Sequence, residues 1–249
     1  MWDRIILKQN AKVALGGGRY GRAFLVCLID FLILGIFGGW SFSSRGSSAL
    51  SPQAVFADAV AFHWYTIPNI LLLIFAGFPL MVGIARFFLQ NRFSDRAETV
   101  TMFTGFSDHY GNTVSGMLIT SLITFVYSLL FIIPGIIKGL EYTMVPFILA
   151  DNPAMPGERA RQISSMMTNG EKGAIFTLYL SFLGWYIAIG VAFSVLSWVF
   201  WPIAGFLSTV GAAVVETYRQ ATFTELYIYM RDRIIHFGAA SPAEFGLSL

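Results

Sequence analysis

The sequence predicts an all-α fold: a polytopic bundle of about six transmembrane helices, with a short cytoplasmic amphipathic helix between the fourth and fifth spans. Three observations carry that prediction. Apolar runs of about twenty residues, enough to cross a hydrocarbon core, recur along the chain. Charged residues make up only 12% of 249 positions and mean hydropathy is +0.67, about half the charge of an average soluble domain. Lys and Arg, finally, collect on one side of the implied bundle.

The first run covers 23–42. Basic residues precede it as they would a secretory signal, but the run outlasts a signal core and no small-residue cleavage site follows directly, so it reads as an uncleaved span. Asp30 lies within it. An unpaired ionised group at the bilayer centre costs at least about 2.5–3.5 kcal/mol on insertion scales. Arg86, near the inner end of the second span at 64–85, is therefore its expected partner. Gly35 and Gly39 offer the first span a close-packing face.

The third and fourth spans, 114–133 and 136–150, stand back to back around Pro134–Gly135. That pair reads as a helix break, since proline lacks a backbone N–H and glycine tolerates strained dihedrals. A run ending so soon covers only about 22 Å, so the fourth segment crosses a thinned bilayer, leans on partners or re-enters. Lys138 and Glu141 share one face beside the break at i,i+3 spacing. They read as an interfacial ion pair, with contact to a substrate or ion as the alternative.

Between the fourth and fifth spans lies DNPAMPGERARQISSMMTNG. Asp151 or Asn152 can cap a helix, Pro156 suits its first turn and Asn169–Gly170 suits its stop. Ala160, Ile163 and Met166/Met167 recur at helical spacing, which gives either an amphipathic helix on the cytoplasmic surface or a connector packed on the bundle. The fifth and sixth spans, 174–193 and 195–215, carry small residues every fourth position. Gly184, Ala188 and Ala192 form one row; Ala204, Ser208 and Ala212 form the other and lead to Glu216. Small side chains let helices approach where lipid offers no hydrophobic force for association, so these rows are the expected contact between the two spans. Beyond them, Phe223, Leu226, Met230 and Ile234 form an apolar stripe that extends the last span or lies along the interface. Residues 1–237 read as a single integral-membrane domain and 238–249 as a loose tail.

Six spans with both termini in the cytoplasm place every Lys and Arg except Arg45 and Lys138 on the inner side of the plasma membrane. The net charge of +2 and the lack of a basic stripe argue against nucleic-acid binding, while 24 Phe, 10 Tyr and 6 Trp suit lipid contact and interfacial belts. Cys27 is the single cysteine, which excludes an intrachain disulfide and a multi-cysteine metal site. His63 is predicted on the opposite side of the membrane from His109 and His236, so the three cannot form one metal site. Gly111–Gly116 has phosphate-loop spacing without the Lys-Ser/Thr pair that such a loop needs. No catalytic set, metal or cofactor is predicted. The expected role is non-catalytic binding of a partner protein, a lipid or a small molecule, with the bilayer and a membrane partner or second copy as neighbours. The alternative is a transporter or channel-like component using Asp30, Arg86, Lys138 and Glu141 as a polar path.

IIPGIIK at 132–138, YTMVPFILADNP at 142–153, and SSMMTNGEKG with LSFLGW across 164–185 resemble a bacterial integral-membrane family catalogued as domain of unknown function 975. Weaker similarity runs through LKQNAKVAL at 7–15, RYGRAF at 19–24, FTGF at 103–106, and Tyr218, Ala221, Phe223 and Leu226. The resemblance implies a polytopic cell-envelope protein and supplies no catalytic residues. The chain departs from the family in the 43–62 loop and in SDHYGNTV after FTGF. A similar layout in the membrane parts of some phosphodiester-cleaving proteins is an analogy of fold alone.

Overall fold

The computed structural model describes residues 2–43, 66–94, 96–107 and 109–247, and every regular element among them is helical. In order these are α1 (Arg4–Ala14), α2 (Arg19–Ser43), α3 (Thr66–Leu72), a π turn (Leu73–Gly77), α4 (Phe78–Phe93), a 3-10 helix (Thr99–Phe106), α5 (Tyr110–Leu130), α6 (Ile132–Glu141), α7 (Val145–Asp151), α8 (Gly157–Thr168), α9 (Lys172–His236) and a C-terminal 3-10 helix (Pro242–Phe245). Four stretches among the described residues are long and apolar enough to cross a membrane: Ile67–Phe93, Tyr110–Leu130, Ile132–Asp151 and Lys172–Leu196. The expectations for Arg45, His63 and the 43–62 loop fall outside the described residues, as do those for the side-chain environments of Gly35, Gly39 and Ala204.

Asp3 caps α1 by accepting the Ile5 N–H at 2.7 Å. Positive φ angles at Gly17 and Gly18 then turn the chain into α2. α1 is held along α9 by three bonds. The Trp2 indole donates to Glu171, the Lys8 ammonium donates to Ser181 Oγ at 2.9 Å, and the Tyr218 hydroxyl donates to the Lys8 carbonyl at 3.2 Å.

Pro79 sits in the first turn of α4, so the carbonyl of Phe75, four residues back, has lost its usual N–H donor. The Tyr110 hydroxyl donates to that carbonyl at 2.7 Å. The 3-10 helix then lies against α4 with no room between backbones. A Cβ on Gly83 would sit 1.9 Å from the Met102 carbonyl oxygen, and one on Gly105 would sit 2.0 Å from that of Pro79. This is what the glycine of FTGF is for.

The break expected at Pro134–Gly135 lies elsewhere. Phe131 is the extended residue that ends α5 and opens α6, at φ −156° and ψ 143°. Pro134 falls in the first turn of α6, where its missing N–H would have no intrahelical partner in any case. Gly135 permits the return: a Cβ there would meet Ser128 Oγ at 2.1 Å. A second interruption follows at 142–144, ahead of Pro146 in the first turn of α7. The backbone groups freed there are collected by one side chain of α8. Ser164 Oγ donates to the Glu141 carbonyl at 2.6 Å and accepts from the Met144 N–H at 3.3 Å.

α9 has helical backbone over 65 residues, yet its two halves touch. Tyr186 bonds Glu216 at 2.5 Å, Tyr179 packs on Phe223 with ring centroids 4.5 Å apart, and Arg233 pairs with Glu171. On a straight helix residues 186 and 216 would be about 45 Å apart, so the chain reverses between Phe193 and Gly211, which are in contact. The row on the first arm does not make this contact. Gly184, Ala188 and Ala192 are exposed, and a Cβ on Gly184 would find open space. Phe182, Tyr186, Ile189 and Phe193 face the second arm instead. On that arm the fully packed row is Ala213, Thr217 and Ala221, one residue on from Ala212 and Glu216, and it meets α2 near Ala23, Val26 and Cys27. Ser208 and Ala212 are half-buried. One residue is a rotation of about 100° on a helix, and small residues on several faces at 208–213 leave that rotation undetermined by composition.

Buried side chains concentrate at one end of the helices. Ile148, Leu149, Ile163, Met167, Leu226 and Met230 are among those that form a continuous core there. The stripe at Phe223, Leu226, Met230 and Ile234 thus packs inside the core rather than along an interface. The opposite ends, including Leu129, Phe131, Ile132, Ile133 and Val195, are exposed and apolar. Helix α8 buries Ala160, Ile163, Ser164, Met167 and Thr168 against the same core. The tail is tied down rather than loose. Ser241 and Glu244 form a capping box and Phe245 is buried, because a short segment with one large apolar side chain gains more from that core than from water.

Candidate functional site

The packed end of the bundle is an ionic base, built where ADNP (150–153) leaves α7. Asp151 accepts the Tyr227 hydroxyl at 2.7 Å and Arg231 Nη1 at 3.0 Å, both from the far end of α9. Burial, together with the Asp151 charge, pushes the Tyr227 hydroxyl well above its ordinary range, so it remains the donor. Asn152 donates to the Glu244 carbonyl at 3.1 Å and accepts the Ala154 N–H at 3.1 Å. Asn112, near the start of α5, donates to the Pro153 and Met155 carbonyls at 2.8 and 2.7 Å. Four elements are therefore joined through this one turn. Beside it Gly116 and Gly157 meet backbone to backbone, which gives the second glycine of the Gly111–Gly116 spacing a packing role.

Next to this turn a groove of about 690 Å³ is lined by Arg86, Arg96, Arg231 and Asp151, with Leu89, Phe93, Phe245 and Leu247 as apolar walls. Arg231 is committed to Asp151 and Asp232. Among the described residues, no carboxylate comes within ion-pairing distance of the Arg86 or Arg96 guanidinium, although Asp151 lies within electrostatic reach of Arg86.

A second cluster gathers on Glu141, which is buried. Lys138 pairs with its Oε1 at 2.9 Å, Lys172 with its Oε2 at 2.7 Å, and Ser165 Oγ donates to Oε1 at 3.0 Å. A cavity of about 520 Å³ opens beside it, lined also by Arg159, Arg161 and Gln162. Here each oxygen of the carboxylate already holds one ammonium group. The third cluster holds Glu216, which accepts from Arg219 Nε at 2.8 Å, Gln220 at 2.8 Å and Tyr186 at 2.5 Å, tying the arms of α9 together. Arg92 and Glu225 form a further pair between α4 and α9.

The residues singled out from the sequence thus fall into separate groups. Asp30 lies within electrostatic reach of Glu216 and Arg219, not in a pair with Arg86. Arg86 faces Asp151. Lys138 and Glu141 do pair, and Lys172 joins them from α9 across a separation in sequence that spacing could not reveal. Sequence reasoning passed over Ser164, Asn112, Tyr227 and Arg231 as site residues. The ADNP block was the available signal, since an Asp-Asn pair ahead of proline at a helix end has four side-chain polar atoms to commit.

Helices long and apolar enough for a bilayer, gathered at one end by buried ion pairs, define an all-helical protein compatible with membrane insertion. Residues 62–233, more than half the chain, match the family described as Protein of unknown function (DUF975), and the protein belongs to it. The match includes the turn at Phe131, the ADNP turn and most of α9, while α1, α2 and the tail lie outside it. No curated protein and no solved structure matches the chain.

Proposed function

We propose that the protein is a six-span component of the plasma membrane with both termini in the cytoplasm and a non-catalytic role, binding a partner protein, a lipid or a small molecule at its ionic base. The crossings are α2, α3 with α4, α5, α6 with α7, and the two arms of α9. α8 rests on the cytoplasmic side of the bundle. The observation that carries this reading is the commitment of charge: Glu141, Glu216, Glu171, Glu225 and Asp151 each hold a cation from another turn or another element. Buried pairs of this kind fix one arrangement of helices at little net gain in stability. Transport through Asp30, Arg86, Lys138 and Glu141 needs those groups along one path, whereas Asp30, Arg86 and the Lys138–Glu141 pair each engage a different set of neighbours.

Topology reporters placed in the 43–62 and 152–173 loops are expected to report opposite compartments. The same compartment from both would overturn the six-span reading. In proteoliposomes, Asp30→Asn is expected to leave solute and ion flux unchanged, and a flux that this substitution abolishes would replace the binding role with transport.

A further inference from the structure

We propose that the groove between α4, the ADNP turn and the C-terminal 3-10 helix binds a phosphate-bearing anion through Arg86 and Arg96. The inference rests on the binding role above and names its ligand.

Charge comes first. Among the described residues, three guanidinium groups and one carboxylate line the groove, and that carboxylate is already used by Arg231 and Tyr227. The described lining therefore carries an excess of about two positive charges. Arginine stays charged under all ordinary conditions, so it cannot relieve partial burial by losing its proton. Arg86 is half-buried with no ion-pair partner among the described residues, an arrangement that an external anion would complete. In the Glu141 cluster, by contrast, Lys138 and Lys172 each already hold a carboxylate oxygen.

The donor set selects the kind of anion. Guanidinium forks match the oxygen geometry of phosphate in paired, charge-assisted hydrogen bonds, and two arginines on the wall of one groove suit a group with three or four oxygens. Ser94 and Gln90 add neutral polar groups on the same wall.

The walls say what the anion is attached to. Leu89, Phe93, Phe245 and Leu247 are apolar, and Phe93 stands 67% exposed at the end of the candidate span Ile67–Phe93. An arginine-lined pocket opening beside the last turn of a membrane helix, with an exposed aromatic at its edge, is placed at headgroup depth. An anionic phospholipid meets both requirements, with its phosphate on the arginines and its glycerol end against Phe93. A free phosphate meets only the first.

The test uses the full-length protein in neutral detergent micelles, with short-chain phosphatidylglycerol, short-chain phosphatidylcholine and inorganic phosphate as separate probes. Binding is read by native mass spectrometry and by the shift in Tm. Phosphatidylglycerol is expected to bind in preference to phosphatidylcholine, with Arg86→Gln and Arg96→Gln each weakening it about tenfold, one lost charge-assisted contact apiece. Neither substitution removes an ion pair among the described residues, so the ligand-free Tm should hold in both. Inorganic phosphate binding that depends on the same two arginines, without preference between the lipids, would assign the groove to a soluble phosphate. If the Arg86→Gln/Arg96→Gln double variant binds every probe as the wild type does, the proposal is overturned. Failure of that kind in a protein that still sediments with membranes removes the ligand and leaves the binding role; a protein that leaves the membrane fraction removes both.

Discussion

Gly83→Ala is the sharpest probe of the fold. The added methyl would stand 1.9 Å from the Met102 carbonyl oxygen, where ordinary contact begins at 3.4 Å, so the two backbones must part by about 1.5 Å. The obstacle is main chain and has no rotamer to change. The 3-10 helix cannot tilt away either, because its other end is pinned by Gly105 against Pro79 at an equally close approach. Overpacking of a rigid contact costs about 1–3 kcal/mol, and a contact between two backbones lies at the upper end. For a chain of this size about 3 kcal/mol corresponds to a fall in Tm of roughly 6–12 °C. Thermal unfolding in detergent micelles, followed by far-ultraviolet circular dichroism, measures it directly. Gly184→Ala is the matched control. Its Cβ meets nothing within 4 Å, so it should be neutral or raise stability by up to about 1 kcal/mol through helix propensity. The row of small residues read from the sequence predicts the reverse, with Gly184 as the sensitive position. A loss of stability in Gly184→Ala together with an unchanged Gly83→Ala would refute the packing described here.

Ser164→Ala should lower stability by about 1–3 kcal/mol, since it strips the Glu141 carbonyl and the Met144 N–H of the same hydroxyl; Thr168, at 3.4 Å from that carbonyl, recovers part of the loss. Hydrogen exchange at 141–145 would rise with it, and unchanged exchange would remove the serine from that role. Glu141→Gln leaves two lysines without their carboxylate. The expected loss is about 2 kcal/mol, below that of a fully buried pair because the Lys138 and Lys172 side chains remain 25% and 31% exposed and can reach water; chemical denaturation in mixed micelles reads it. The tail should loosen in acid. Arg159, with the Ser241 N–H, holds the Glu244 carboxyl below its usual 4.5, so its contribution to docking is present above that value and is lost as pH falls through the depressed pKa. Hydrogen exchange of 239–247 measured at pH 6 and pH 3 should show this, and Glu244→Gln should abolish the difference.

The apolar runs and the sparse charge determined by themselves that the chain is helical and built with lengths that fit a bilayer, because hydrogen-bonding every backbone group without water leaves few other choices. They also placed Lys138 beside Glu141, since i,i+3 neighbours on a helix are fixed by its geometry alone. The rest was set by rotation and long-range approach. Whether Ala212 or Ala213 faces α2 turns on about 100° of helix rotation, which small residues on several faces do not specify. Pro134 looked like a break because proline obstructs helix interiors, but the chain had already turned at Phe131 and left proline in the first turn, where it does no harm. Lys172 reaching Glu141, Arg231 reaching Asp151, and Ser164 bridging a gap between two other helices join residues far apart in the chain. Tertiary structure decided these contacts, and with them which arginines have no carboxylate partner among the described residues, because only folding brings the far end of α9 back against the ADNP turn.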